Sequence, residues 1–250
     1  MILSEKPFVL PTLSRWHKAK MLTCAEKVLT LQQQMITNTG KNILHYSLQK
    51  QRRYLSLKHY PKGDRIDRTT GAQYFYHCHR ENKDTQEHGH FHCFLRYKHI
   101  SKRTKPKPLS DWKKHLDNPM THLVAISMNR YGQPIRLFTV NRWITAEIWY
   151  DSEHIERFVK KYQMTMSEPP YWAILDHWVD AMIHLFSPQI IWLHQQRDII
   201  MHHHQSQDPE HNIYEDRTIE ELSEIPIDIA SQIQWILQQS VSPNSNHHEH

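Results

Sequence analysis

The chain has 250 residues, enough to bury one sizeable core, and we expect one domain with terminal tails. It contains only 5 glycines and neither the GxGxxG nor the GxxxxGK[ST] pattern, which excludes the common glycine-rich phosphate loops. The net charge of +5 is consistent with an anionic partner, and 22 histidines make the surface charge strongly dependent on pH.

Three features predict a cytoplasmic protein. Cys24, Cys78 and Cys93 are odd in number and not spaced as a disulfide framework. Residues 1–13 carry Glu5 and Lys6 without a long apolar run, so they do not resemble a signal peptide. No stretch approaches the roughly 18 apolar residues of a membrane span, and no membrane partner is expected.

The N-terminal quarter predicts an irregular arm, residues 1–12, followed by two helices. Apolar spacing predicts the first helix over residues 13–37, with Ser14 as its N-cap and Gly40 at its end. The second helix is predicted over residues 42–57. Residues 59–64, His-Tyr-Pro-Lys-Gly-Asp, contain strong breakers and predict a turn.

Two β-hairpins follow. Alternating patterns predict that residues 72–79 pair with residues 88–97, and that residues 121–128 pair with residues 134–141. From residue 152 the spacing of apolar residues becomes helical, and it predicts helices over 152–164, 171–186, 188–203 and 227–239.

These elements predict an α+β fold: an antiparallel sheet of at least four strands with N-terminal and C-terminal helices packed on it. We expect a single domain over residues 13–204. Residues 205–250 are predicted as a polar C-terminal extension with one helix.

Five histidines gather in the first predicted hairpin: His77, His79, His88, His90 and His92. Alternate residues of a strand project from one face, and a simple hairpin pairs His77 with His90 and Phe75 with His92. Directly paired Cβ atoms lie about 4.5–5.5 Å apart, so several imidazoles can converge on one ion. The pattern predicts a metal site with these five histidines as ligands.

Nitrogen ligands indicate a divalent transition metal as cofactor and argue against calcium and magnesium, but they do not distinguish zinc, iron, copper, nickel and manganese. Glu87 is the predicted catalytic residue, acting as a base, unless it serves as a ligand or as an acceptor for an imidazole N–H. His122 opens the third predicted strand and is a further candidate ligand. The sequence therefore predicts a metal-binding protein and favours a metal-dependent enzyme, with hydrolase and oxidoreductase left open.

Other functions fit parts of the same motif. His90-Phe91-His92 matches the histidine–hydrophobe–histidine signature of metal-dependent single-strand DNA nicking endonucleases, in which a tyrosine attacks the phosphate. Tyr162 would be that nucleophile, and the basic stretch from Arg96 to Lys107 would bind nucleic acid. The histidine triad of nucleotide hydrolases, a cupin-like metal site and a non-enzymatic metal-sensing or partner-binding module are further alternatives.

Several segments together resemble a known family. They are His59–Asp64, Gln73–His79, Glu87–His92, His122–Ser127, Leu137–Thr145 and Arg197–Asp198. Over residues 13–200 the chain is similar to an uncharacterised bacterial domain family, a domain of unknown function. The resemblance implies one shared domain and no activity, and nothing in the family pattern centres on a tyrosine at the place of Tyr162.

Overall fold

The computed structural model of the protein describes residues 7–48, 55, 58–78, 86–109, 113, 116 and 119–239. It confirms the predicted α+β class, with six strands in one sheet whose neighbouring strands are all antiparallel. In spatial and chain order the strands are β1 Tyr60–Ile66, β2 Ala72–Cys78, β3 Glu87–Arg96, β4 Met120–Asn129, β5 Pro134–Val140 and β6 Glu221–Pro226.

Helices precede the sheet and follow β5 in the described part of the chain. They are α1 Arg15–Thr39, α2 Ile43–Ser47, α3 Arg142–Thr145, α4 Ile155–Lys161, α5 Pro170–Leu185, α6 Ser187–Gln207 and α7 Ile229–Gln238. Within these residues, no helix combines the length and the apolar composition that crossing a bilayer requires.

The ends of α1 follow from its capping residues. The Ser14 hydroxyl accepts a hydrogen bond from the backbone N–H of His17, as a helix N-cap does. At the other end Gly40 adopts a φ of 65° and its N–H donates to the Ile36 carbonyl, a left-handed C-cap that glycine adopts at little cost. The second predicted helix is described only as the short α2, because residues 49–54 and 56–57 lie outside the described residues.

The two faces of the sheet have different chemistry. One face packs against the helices and contributes Tyr74, Tyr76, Phe91 and Cys93 to the main core. The Phe91 ring, for example, lies 5.8 Å from the Trp178 ring of α5. Alternation along β2 and β3 sends the histidines to the opposite face, which we call the histidine face.

The turn predicted over residues 59–64 is wrong, because this segment enters the edge strand β1 at Tyr60. The breakers are tolerated there: an edge strand has one unpaired side, and the pairing with β2 shifts register between Tyr60 and Arg65. Gly63 and Asp64 occupy the irregular stretch with φ values of 85° and 62°. Arg65 then anchors β1 to the helices through an ion pair with buried Asp176.

The opposite edge strand, β6, is a second difference. Residues 221–226 fall in the predicted polar extension, yet they pair with β5. Polar residues there face the histidine side, where Glu221 and Glu224 bind Arg136, while Leu222 is buried. A strand this short and this acidic lacks the alternating apolar pattern that predicts strands, so only its pairing reveals it. The final predicted helix is present as α7.

Candidate metal centre

The β2–β3 pairing brings three of the predicted ligands together. His77 pairs with His90 and Phe75 with His92, as predicted from the hairpin alternation. The Nε2 atom of His90 lies 2.6 Å from Nε2 of His77 and 3.0 Å from Nε2 of His92. His90 and His92 are only 6% and 2% exposed, so three imidazole nitrogens converge on one buried point.

This geometry fits a metal ion. Metal–nitrogen distances of about 2.0–2.1 Å place cis ligand nitrogens roughly 2.9–3.4 Å apart. The His90–His92 separation of 3.0 Å lies within this range, and the His77–His90 separation of 2.6 Å lies below it. His77, His90 and His92 form the group in the described residues whose ligand atoms all lie close enough together to hold one ion.

Glu87 supports His90 from behind. Its carboxylate accepts a hydrogen bond from Nδ1 of His90 at 2.7 Å, from the Ser127 hydroxyl at 2.5 Å and from Arg136 at 3.2 Å. Because a carboxylate only accepts, Nδ1 of His90 carries the proton and Nε2 keeps its lone pair for an ion. Burial alone would raise the pKa of Glu87, but His90, Ser127 and Arg136 lower it to about 2.

That pKa bears on the predicted role of Glu87 as a base. A carboxylate with a pKa of about 2 holds a proton weakly at neutral pH, whereas an effective general base has a pKa near the working pH. Both oxygens of Glu87 are also engaged. The geometry therefore favours the acceptor role, in which Glu87 orients His90.

His122 supports His92 in the same way. Nε2 of His122 lies 3.1 Å from Nδ1 of His92, so His122 lies behind the ligand rather than at the converging Nε2 atoms. Burial, with the neighbouring histidines, lowers the pKa of His92 well below its usual value. Burial and the charge of Arg197 lower the pKa of His122 to about 3. Both rings are therefore neutral at neutral pH, the state a ligand and its acceptor need.

His88 does not join the other histidines. The β3–β4 pairing shifts register between Glu87 and Gly89, and this bulge reverses the alternation at that end of β3. Nδ1 of His88 instead lies 2.8 Å from the hydroxyl of Tyr76, a residue of the helix-packed face. The fifth predicted ligand, His79, lies outside the described residues.

Apolar side chains wall the site. The ring of Phe138 stands perpendicular to His90 at a centroid distance of 4.9 Å, and Phe75 lies 5.2 Å from His92. Phe75 also packs with Phe94 and Met120. Removing water in this way strengthens every electrostatic interaction at the site.

The position of Tyr162 does not fit the nucleophilic role that the nicking hypothesis gives it. It follows α4, is 0% exposed and belongs to the core on the helix-packed face, beside Cys93. A tyrosine enclosed there cannot reach a DNA phosphate held at the histidine face. In the basic stretch, Arg96 binds Gln73 and Lys107 binds Asp151, whereas Lys102, Arg103 and Lys105 are exposed. Nucleic-acid binding by this stretch stays a prediction.

Two supporting residues were not predicted. His77, His90, Ser127 and Arg136 are successive cross-strand partners along one row of four strands. Ser127 lies on β4 and Arg136 on β5, and both belong to the segments predicted to form the second hairpin. Placing that hairpin beside the first in this register would have identified them.

The comparisons with known proteins agree with the predicted resemblance. A family model described as a domain of unknown function (DUF6969) matches residues 22–227. No curated protein and no solved structure shows significant similarity to the chain.

Proposed function

Since the chain belongs to the family of the domain of unknown function DUF6969, which carries no assigned activity, we propose a function from the site. The protein binds one divalent transition-metal ion through Nε2 of His77, His90 and His92, and the ion serves as a catalytic centre. The observation that carries this proposal is the convergence of three Nε2 atoms, two of them on rings whose Nδ1 atoms have fixed partners.

Among the described residues, the number and type of the converging ligands favour catalysis over a purely structural ion. Structural zinc sites use four protein ligands, whereas catalytic sites use three and leave a position for water or substrate. Three neutral imidazoles also leave the ion's double positive charge uncompensated by its ligands. When bound, such an ion polarises a substrate oxygen and lowers the pKa of a coordinated water.

The charge arrangement supports the same conclusion. The negative charge of Glu87 lies 2.7 Å from Nδ1 of His90. Arg136, which is 3.2 Å from the same carboxylate, partly balances this charge. Arg136 is itself bound by Glu221 and Glu224. His90 and His92 thus present pre-oriented Nε2 atoms beside the rings of Phe138 and Phe75, which suits an ion that must activate a substrate.

Metal analysis of the untagged protein tests the proposal. We expect about one equivalent of zinc, iron, copper, nickel or manganese to remain bound after desalting, and the variants His90→Ala and His92→Ala to lose it. His88→Ala is a matched control, because this histidine is also on β3 but faces Tyr76. Equal metal content in all four proteins would contradict the proposal.

A further inference from the structure

A fifth histidine stands at the rim of the site, beside His77, His90, His92 and His122. The ring of His59, just before β1, stacks on Phe75 at a centroid distance of 3.6 Å and an interplanar angle of 6°. Phe75 in turn lies against His92, and the His59 ring is 6.5 Å from the His77 ring. The side chain of His59 is 45% exposed, so it borders the histidine face and also contacts solvent.

A chain of hydrogen bonds orients His59. Its Nδ1 atom lies 2.8 Å from Oδ1 of Asp64, and Oδ2 of Asp64 accepts from the Gln73 amide at 2.7 Å. Arg96 donates to the other end of that amide at 2.6 Å. Because Asp64 accepts at Nδ1, the second nitrogen of the ring, Nε2, is the one left for other chemistry.

The backbone at Asp64 is adapted to this contact. Asp64 adopts a φ of 62°, a left-handed conformation that costs a non-glycine residue free energy and persists only where surrounding contacts hold it. Here the two hydrogen bonds of its carboxylate are such contacts. The segment that the sequence predicts as a simple turn therefore holds a histidine–carboxylate pair against the wall of the metal centre.

We propose that His59 is the proton-transferring catalytic residue of this site and that Asp64 is its positioning residue. The inference rests on the metal centre proposed above and names its reaction class: hydrolysis of an uncharged carboxylic ester. Arg136 is already paired with the carboxylates of Glu87, Glu221 and Glu224, so its charge gives no reason to expect an anionic substrate.

The proton balance is as follows. Nε2 of His59 takes a proton from water as the water oxygen forms a bond to the carbonyl carbon. The resulting imidazolium is stabilised by Asp64 through Nδ1–H. When the bond between carbonyl carbon and alcohol oxygen breaks, Nε2 returns the proton to the leaving alcohol, so the products are the acid and the alcohol and His59 is neutral again.

The test uses full-length protein loaded with Zn²⁺ and the probe ester 4-nitrophenyl acetate. His59→Gln should lower kcat/KM by about 10²–10⁴-fold, the usual contribution of a general acid–base residue. It should leave metal affinity, followed by Co²⁺ titration, unchanged, because His59 is not among the converging ligands. Asp64→Asn should lower the rate by a smaller factor and shift the pH–rate profile.

The chain offers a closely matched control. His211 lies 3.0 Å from Asp216, also five residues apart, and its side chain is 47% exposed. His211→Gln should change neither rate nor metal affinity. If the wild type binds Zn²⁺ and either fails to hydrolyse the ester or loses no rate on His59→Gln, the inference about His59 is overturned while the metal centre stands. If the wild type binds no Zn²⁺ or Co²⁺, the metal centre fails and the inference fails with it.

Discussion

The carboxylate of Glu87 lies 2.7 Å from Nδ1 of His90, although the two residues are three apart in one strand. In a regular strand such residues project from opposite faces. The bulge between Glu87 and Gly89 turns Glu87 to the histidine face and His88 away from it. One irregularity in β3 therefore exchanges a predicted ligand for the residue that orients another ligand.

Loss of the Glu87 charge should weaken metal binding. We expect Glu87→Gln to raise the Kd for Zn²⁺ by about 10–100-fold, because an amide is a weaker acceptor for Nδ1–H of His90 than a carboxylate. Competition with a chromophoric chelator measures this change. Glu224→Gln is the control, since Glu224 also binds Arg136 but does not touch His90. Equal affinities in the two variants would show that Glu87 does not support the ion.

His122 should contribute through His92. His122→Leu removes the acceptor at 3.1 Å from Nδ1 of His92, and we expect metal affinity to fall by about tenfold or more. His122→Gln, which keeps an acceptor oxygen, should retain more of the affinity. Isothermal titration with Zn²⁺ distinguishes the two variants, provided that thermal melting shows both to be folded. A leucine variant that binds as tightly as the wild type would contradict this role.

Gly89 should not tolerate a larger side chain. A Cβ atom there would collide with the backbone oxygen of His77 and the hydroxyl of Tyr76. We expect Gly89→Ala to lower the free energy of unfolding by about 1–3 kcal/mol, as overpacking of an interior does. Metal affinity should fall too, because the same contact separates β2 from β3 beside His77. Urea unfolding measures the first effect, and a stability equal to that of the wild type would show that the strands adjust without cost.

The stability of the metal-free protein should depend on pH through the titration of Glu147. This residue is 1% exposed and accepts hydrogen bonds from the backbone N–H of His122 and from the Thr121 and Thr145 hydroxyls. Burial raises its pKa to about 7 from an ordinary value of 4.5, although the charge of Arg197 opposes the shift. Between these two pH values the folded state holds a proton that the unfolded state has lost, so this contribution to stability falls as pH rises.

The variant Glu147→Gln isolates the pH-dependent contribution of Glu147 to stability. Relative to this variant, the wild type should lose about 3 kcal/mol of unfolding free energy between pH 4.5 and 7, at about 1.4 kcal/mol per pKa unit. Urea unfolding in the presence of EDTA, at several pH values, gives the difference. A constant difference between wild type and Glu147→Gln would contradict the raised pKa.

Much of this arrangement could be predicted because it depends on local patterns. The alternation of His77, His90 and His92 with apolar residues defines both a strand face and a hairpin pairing, and each depends only on the two-residue repeat of a strand. Ser14 and Gly40 likewise mark the ends of α1 through hydrogen bonds and dihedral angles within a few residues. The sequence by itself therefore determined the fold class and the three converging histidines of the candidate metal centre.

Tertiary structure decided which polar groups surround that core. Ser127 and Arg136 reach Glu87 only because β4 and β5 pair beside β3 in one register, and β6 reaches Arg136 only by closing the opposite edge. Likewise, the short segment from His59 to Asp64 lies beside the converging histidines only because the His59 ring stacks on Phe75. The physical reason is that these contacts join residues distant in the chain, and register, bulges and edge pairing follow from the packing of the whole sheet rather than from any local repeat.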